Sequence, residues 1–283
     1  MPIIPLSDRT WVVLFVLLAA GAGCTDEDAP DAVVLMGLEI IGAPSSLNPP
    51  FDPNILRYSF TADDQSHLAI VPSVSEGAGV AINGRIAPAA TPYSLAQLAP
   101  GQTVEIQVYS YRRNRLSRRY ELLYLPRDFP DLVVTATGPE ASADPLYVSL
   151  NNDAAKYLAI VDNHGVPLFY RADNQFLFDF KWHAATGERS YLRYTGSTNQ
   201  WGRRNAEAVV LDANFNEVDR FTTVGLSNTD VHDVLLTAHG EVILIAYEGT
   251  RRDLSYLGLS TEELVEESVI QVLDRASRAV LFQ

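Results

Sequence analysis

One pattern occurs three times in the C-terminal half of the chain and restricts its fold more than any other feature. Each copy has a hydrophobic strand, an aspartate at its end, a tight polar turn and a second hydrophobic strand, and the copies span 157–169, 208–218 and 269–281. An aspartate suits this turn because its carboxylate accepts backbone N–H bonds. The repetition predicts an all-β segment built from similar units.

A second repeated motif lies between these hairpins. Residues 178–188 align with residues 232–241 when one residue is inserted, and each copy continues through a Gly-Glu turn into a strand. The two motifs together predict a four-stranded unit of about 50 residues, which is the size of a propeller blade. The sequence therefore predicts two blades, at about 178–223 and 232–283, and a partial blade at about 132–171.

Two and a half blades do not close a ring, and an open propeller leaves unpaired strand edges. The sequence ends at Gln283 inside a segment that this pattern makes an outer strand. We therefore expect the 283 residues to be an N-terminal piece of a longer protein. In the loop before the last strands, Ser260 and Glu263 have the spacing of a capping box, which predicts a short helix.

Residues 34–126 show a different arrangement of strands. Apolar residues alternate with polar ones at 58–61, 104–108 and 120–122, as in strands with one buried face. Turn signals such as Asn83-Gly84 separate them, at the spacing of a small antiparallel β-sandwich. The fold class predicted for the whole chain is thus all-β, with an N-terminal antiparallel β-sandwich followed by an incomplete β-propeller over 127–283.

Residues 38–40, 47–54, 58–60 and 82–84 of this first module resemble the bacterial cadherin-like β-sandwich repeat, a spacer or interaction module. Five arginines surround its last hairpin turn, and two interpretations stay open: a contact with an anion or polysaccharide, or a solvated turn whose strand edge is protected by charge. The arginines are Arg112, Arg113, Arg115, Arg118 and Arg119.

The N-terminus has the pattern of an export signal. Residues 11–20 are an unbroken apolar run followed by Gly21-Ala22-Gly23, which predicts a signal peptide over 1–23. A membrane-spanning helix needs about 20 apolar residues, more than Arg9 and Asp26 leave between them. Residues 25–33 are acidic and predict a tether.

Cys24 is the chain's single cysteine, so neither a disulfide nor a cysteine-based metal site is available within it. Residues 20–24 resemble the lipobox of bacterial lipoproteins, although Gly21 replaces the usual leucine. The resemblance implies lipidation at Cys24, a membrane contact through that lipid only, and an exported protein at the outer membrane, periplasmic or on the cell surface. A plain signal peptide with a chance cysteine is the alternative.

The formal net charge of −14 argues against nucleic acid or an anionic bilayer as the main partner. An anionic substrate would need a local basic pocket.

The repeated units, with Val231-His232-Asp233 and residues 236–248, resemble the arylsulfotransferase family, the aryl-sulfate sulfotransferases of the periplasm. The resemblance implies a six-bladed propeller that moves a sulfuryl group from an aryl sulfate donor to a phenolic acceptor through a sulfohistidine. It implies no nucleotide or metal cofactor. A second hypothesis is a non-catalytic envelope lipoprotein whose propeller binds a carbohydrate or protein partner, because the propeller fold alone does not decide function.

His232 is the candidate catalytic residue. Its counterpart in the preceding repeat is Phe178, so a polar side chain replaces an apolar one where blades converge. The resemblance implies that His232 is a ligand of a substrate oxygen and not the nucleophile; a hydrogen-bonded structural histidine is the alternative. The nucleophile would lie in later blades, so we expect no turnover by these 283 residues alone.

Further along the same unit, polar residues follow the second strand and are candidates for the edge of the channel, with a salt-bridged loop as the alternative. The remaining histidines are predicted to be surface residues. The candidate binding residues are Tyr247, Arg251 and Arg252, beside Glu248, and the other histidines are His67, His164, His183 and His239.

Overall fold

The structure is a computed structural model that describes residues 33–43, 47–62, 67–111, 115–135 and 144–283. Within these ranges the regular elements are β-strands, β1 to β19, and a 3₁₀-helix at Ser255–Leu257. The all-β prediction is therefore confirmed. No helix in these ranges is long and apolar enough to cross a membrane. The predicted signal, Cys24 and all of the tether but Val33 lie outside the described residues.

Eight strands form two sheets in the first module. Sheet I has the order β1-β3-β6 and sheet II the order β2-β8-β7-β4-β5. Buried side chains of both sheets belong to one hydrophobic cluster, which includes Leu35, Ile70, Val80 and Ile106. The strands are β1 (Leu35–Ile41), β2 (Arg57–Phe60), β3 (Ala69–Val74), β4 (Ala78–Ile82), β5 (Arg85–Ala87), β6 (Tyr93–Ser94), β7 (Thr103–Ser110) and β8 (Arg115–Tyr124).

The pairing is antiparallel except at one edge of sheet II, where β2 runs parallel to β8. The expectation of purely antiparallel strands was wrong here. Parallel neighbours require a crossover connection, and β2 and β8 are separated in the chain by β3 to β7. The local alternation of apolar residues contains no information about this direction.

The second module contains three sheets whose strands pair in sequence order. Sheet III has three strands, and sheets IV and V have four each, so the two predicted four-stranded units are present. Sheet III consists of β9 (Leu146–Asn151), β10 (Lys156–Val161) and β11 (Pro167–Asp173); sheet IV of β12 (Leu177–His183), β13 (Glu188–Thr198), β14 (Arg204–Leu211) and β15 (Glu217–Phe221); sheet V of β16 (Val234–Leu236), β17 (Glu241–Arg252), β18 (Glu263–Asp274) and β19 (Val280–Phe282).

The repeated aspartates have the role that the sequence predicts. The Asp162 carboxylate accepts the backbone N–H of His164 and of Val166, each at 2.9 Å. Asp212 accepts two backbone N–H groups in the same way, each at 2.8 Å, and Asp274 accepts the N–H of Ser277 at 2.7 Å. An aspartate-bonded turn therefore joins the last two strands of all three sheets, and the turn at Asp274 is one residue longer than the other two.

Successive sheets of the second module share hydrophobic cores. Leu158 of sheet III belongs to one cluster with Tyr191 and Val209 of sheet IV. Ala208, on the other face of sheet IV, belongs to a second cluster with Leu244 of sheet V. Sheet IV is therefore covered on both faces. This cover explains why its strand β14 ends in a continuous run of buried apolar residues.

The described residues cover sheet V on one face only. Its other face has Leu235, Ile243, Val272 and Phe282 in register across all four strands. Leu235 is 44% exposed and Phe282 is 61% exposed. An apolar row of this kind on a sheet is typical of a face that another element covers.

The sequence predicted a short helix after Ser260, and this prediction was wrong. The local hydrogen bond of the capping box does form, since the Ser260 N–H donates to Glu263 Oε1 at 3.0 Å. Residues 263–274 nevertheless form strand β18, which pairs with β17 along its whole length. Long-range strand pairing thus overrides the local helix signal.

Candidate functional site

The segment 228–233 leads into β16 and is fixed between two sheets. Its first three residues, Asn228, Thr229 and Asp230, are buried. The Ala206 N–H donates to the Thr229 carbonyl at 2.9 Å, and the Asp230 N–H donates to the Ile245 carbonyl at 2.8 Å. The segment is therefore bonded to β14 on one side and to β17 on the other, so its backbone is held in place.

His232 lies at the end of this segment and projects outwards. Its side chain is 72% exposed, whereas the Asp230 side chain is 3% exposed. Oδ2 of Asp230 lies 2.6 Å from Nδ1 of His232 and accepts the His232 backbone N–H at 3.0 Å. Within the described part of the chain, Nε2 of the imidazole has no hydrogen-bond partner.

This geometry fixes the chemistry of the imidazole. Because a carboxylate only accepts hydrogen bonds, the proton of a neutral His232 is on Nδ1. Nε2 then presents a lone pair to solvent, and it becomes a donor only when the ring is protonated. The same atom can therefore bind a substrate oxygen as an imidazolium or take up a proton as a neutral imidazole.

Lys181 joins the two aspartates that the repeat makes equivalent. Its Nζ lies 2.6 Å from Asp179 Oδ2 and also contacts Asp233 Oδ1. Asp179 further accepts the backbone N–H of Val234 at 3.1 Å. Burial raises the pKa of the Asp179 carboxyl, and the Lys181 ammonium opposes this effect. These bonds tie β12 to the start of β16, directly after His232.

The other predicted site residues lie along β17 and β18. Tyr247 is near the segment, because its backbone N–H donates to Asn228 Oδ1 at 2.8 Å, and the Glu248 carboxylate accepts the Ser227 N–H. Arg251 donates to the Glu262 carbonyl at 2.7 Å.

Arg252 donates through Nε to Glu267 Oε1 at 2.9 Å. Arg251 is six residues beyond Ile245, or about 20 Å along a strand. The structure thus brings Tyr247 and Glu248 to the segment of His232, whereas it places Arg251 and Arg252 at the far end of the hairpin in bonds to neighbouring residues.

His183 is not the surface residue that the sequence predicts. It is 6% exposed, its Nε2 lies 2.6 Å from Ser190 Oγ, and its Nδ1 accepts the Leu236 N–H at 3.4 Å. Burial, with the nearby Lys181 ammonium, lowers its pKa from 6.5 to about 4. The prediction was wrong because β16 of the next sheet covers the end of β12. His67 and His239 are exposed, and His164 is half-buried.

Arg204 was missed by the sequence reasoning. Its guanidinium lies over the rings of Phe176, Phe178 and Tyr194, with distances to the ring centroids of 5.6, 5.6 and 5.9 Å. The three aromatic residues come from β12, the residue before it, and β13, so no local motif contains them all. The repeat did single out Phe178, as the counterpart of His232.

Comparisons with known proteins leave the family open. No protein-family model matches the chain, and no curated protein matches it. Among solved structures, it is similar to a glycoside hydrolase candidate from Bacteroides thetaiotaomicron, with 13% identity and a TM-score of 0.29 over 80% of this chain and 65% of that one.

Another similar structure is SGBP-B of a Bacteroides ovatus mixed-linkage glucan utilization locus, in complex with a mixed-linkage heptasaccharide. The identity is 12% and the TM-score 0.17, over 86% of this chain and 66% of that one. The chain thus spans slightly less than two thirds of each of these structures. Neither similarity is close enough to carry a conclusion about function.

Proposed function

We propose that the chain forms part of an aryl-sulfate sulfotransferase, in which His232 binds an oxygen of the sulfate ester. The observation that carries the proposal is the exposed Nε2 of an imidazole whose other nitrogen is held by a buried carboxylate. An imidazole that served only the packing would be buried with both nitrogens bonded, as in His183. His232 is exposed instead, and among the described residues only its Nδ1 is bonded.

We also propose that sheets I and II form a β-sandwich and that sheets III, IV and V are blades of an incomplete propeller. Three properties support the propeller: the shared strand order, the common aspartate turn and the cores between successive sheets. The uncovered apolar row on sheet V is what a blade presents to its next neighbour. In that arrangement β16 is an innermost strand, and His232 precedes it at the channel.

The position of His232 fits sulfate recognition chemically. Sulfuryl transfer requires donors on the sulfonate oxygens and an acid for the departing phenolate. A protonated imidazole supplies either of these, and the hydrogen bond to Asp230 orients the ring so that Nε2 faces solvent. No metal ion or nucleotide is needed for this role.

The test is a calorimetric titration of the 283-residue chain with 4-nitrophenyl sulfate, an aryl sulfate. We expect His232→Ala to weaken binding by about tenfold, because a hydrogen bond to a charged group contributes roughly 1.5–3 kcal/mol. His239→Ala is the matched control, since that imidazole is also exposed but lies in the turn after β16, and it should bind as the unmodified chain does. Equal affinities for all three proteins, or no binding by the unmodified chain, would contradict the proposal.

A further inference from the structure

Arg204 differs from the other arginines of sheets IV and V because its guanidinium has neither a carboxylate nor a carbonyl partner among the described residues. Arg189 and Arg251 also lack a carboxylate partner, but each donates to a backbone carbonyl. Among the described residues, no hydrogen-bond acceptor or carboxylate contacts its guanidinium, and the side chain is exposed. The arginines with carboxylate partners in these sheets are Arg193, Arg203, Arg220, Arg252, Arg275 and Arg278. In a chain with 35 acidic and 21 basic residues, an exposed guanidinium with neither a carboxylate nor a carbonyl partner needs an explanation.

The aromatic rings hold this guanidinium in place without using its hydrogen bonds. These cation–π contacts provide no hydrogen-bond acceptor, so the N–H groups of the guanidinium stay available. Two parallel N–H groups of a guanidinium match the paired oxygens of a sulfate, sulfonate or carboxylate. Lys156 adds a second cation, with its Nζ 4.9 Å from the centroid of the Phe176 ring.

Hydrogen bonds connect residues of this cluster to the segment that contains His232. Phe178 precedes Asp179, whose carboxylate accepts the Val234 N–H two residues after His232. The Arg204 carbonyl also accepts the Asn228 side-chain amide at 3.3 Å, and Asn228 begins the segment that ends in His232. The backbone of Arg204 is therefore bonded to the segment 228–233, and the residue after Phe178 is bonded to the start of β16.

We propose that Arg204, on the platform of Phe176, Phe178 and Tyr194, binds the anionic group of an aromatic sulfate or sulfonate. The rings supply an apolar surface for the arene, and the guanidinium supplies the charge that an anion needs on a protein with a net charge of −14. The inference rests on the proposed function, because it names the group that holds the ester which His232 contacts.

The experiment is a titration of the 283-residue chain with two aromatic anions, 4-nitrophenyl sulfate and the unreactive benzenesulfonate. We expect Arg204→Gln to weaken both by at least about tenfold, since it removes a charge-assisted hydrogen bond, and Arg204→Lys to recover part of the loss. Arg203→Gln is the matched control, because the neighbouring guanidinium is already paired with Glu266. Uncharged 4-nitroanisole should bind equally to all variants. Thermal denaturation of each variant establishes that it is folded.

The outcomes separate this inference from the proposed function. If Arg204→Gln binds both anions as the unmodified chain does, the inference is overturned, whatever His232→Ala does. If benzenesulfonate binding depends on Arg204 but the affinity for 4-nitrophenyl sulfate is insensitive to His232→Ala, the anion site stands and the proposed function fails. If neither anion binds the unmodified chain, both fail.

Discussion

Acidification should weaken the packing between sheets IV and V through a single side chain, His183. The Leu236 N–H donates to Nδ1, so the proton of the neutral ring is on Nε2, where it is donated to Ser190 Oγ. Protonation of Nδ1 would break the first bond and place a positive charge in a buried site. That charge would also lie near the Lys181 ammonium.

The magnitude follows from the pKa. His183 has a pKa of 6.5 in the unfolded chain and about 4 in the folded chain. Its contribution to the free energy of unfolding is therefore fully present above pH 6.5, where the ring is neutral in both states. This contribution falls by roughly 1.4 kcal/mol for each pH unit below that value. Acidification through both pKa values should therefore lower the free energy of unfolding by about 3 kcal/mol, because the folded state requires the neutral form of His183.

Urea denaturation at a series of pH values measures this effect. Trp182 and Trp201 both lie in the region of sheet IV, so tryptophan fluorescence follows its unfolding. His183→Gln keeps an amide that can donate to Ser190 but does not titrate, and it should lack this part of the pH dependence. His239→Gln should retain it. If His183→Gln and the unmodified chain lose equal stability between pH 6.5 and about 4, the reasoning about His183 is refuted.

Three further outcomes are expected. Asp230→Ala removes the acceptor for Nδ1–H and should move the proton of neutral His232 from Nδ1 towards Nε2, visible in the imidazole ¹⁵N spectrum; an unchanged tautomer would contradict the assigned role of Asp230. Gly249→Ala should lower the free energy of unfolding by about 1–3 kcal/mol, because a Cβ would lie 2.2 Å from the Trp201 ring, and urea denaturation that shows no loss would refute the contact. Lys181→Met should destabilise the chain by about 1–2 kcal/mol, since two carboxylates lose their shared cation, and unaltered thermal stability would count against that bridge.

The four-stranded units could be predicted from the sequence because their markers are local. The Asp212 carboxylate bonds N–H groups two and four residues ahead, and the alternation of apolar residues defines the strands on either side. The Gly-Glu turn between β12 and β13 is equally local. Where such signals repeat at regular spacing, the strand order follows from the chain itself.

The parts that the sequence did not predict depend on contacts between distant residues. His183 is buried by a strand about 50 residues further along the chain, and the environment of Arg204 comes from three separate positions. The capping box at Ser260 predicted the correct local hydrogen bond but the wrong element, a helix. The following residues form a strand instead, because they pair with β17. The buried Asp230 beside His232 is only two residues away, and the Asp-x-His spacing is a signal that could have indicated the pair.

The role of Nε2 in His232 is tested most directly by the imidazole ¹⁵N resonances of this residue in the 283-residue chain, assigned with His232→Ala. Addition of 4-nitrophenyl sulfate should shift the Nε2 resonance strongly and leave Nδ1 bonded to Asp230, while 4-nitroanisole should shift neither. If saturating aryl sulfate leaves Nε2 unchanged, His232 does not bind the ester, and the sulfotransferase proposal is wrong.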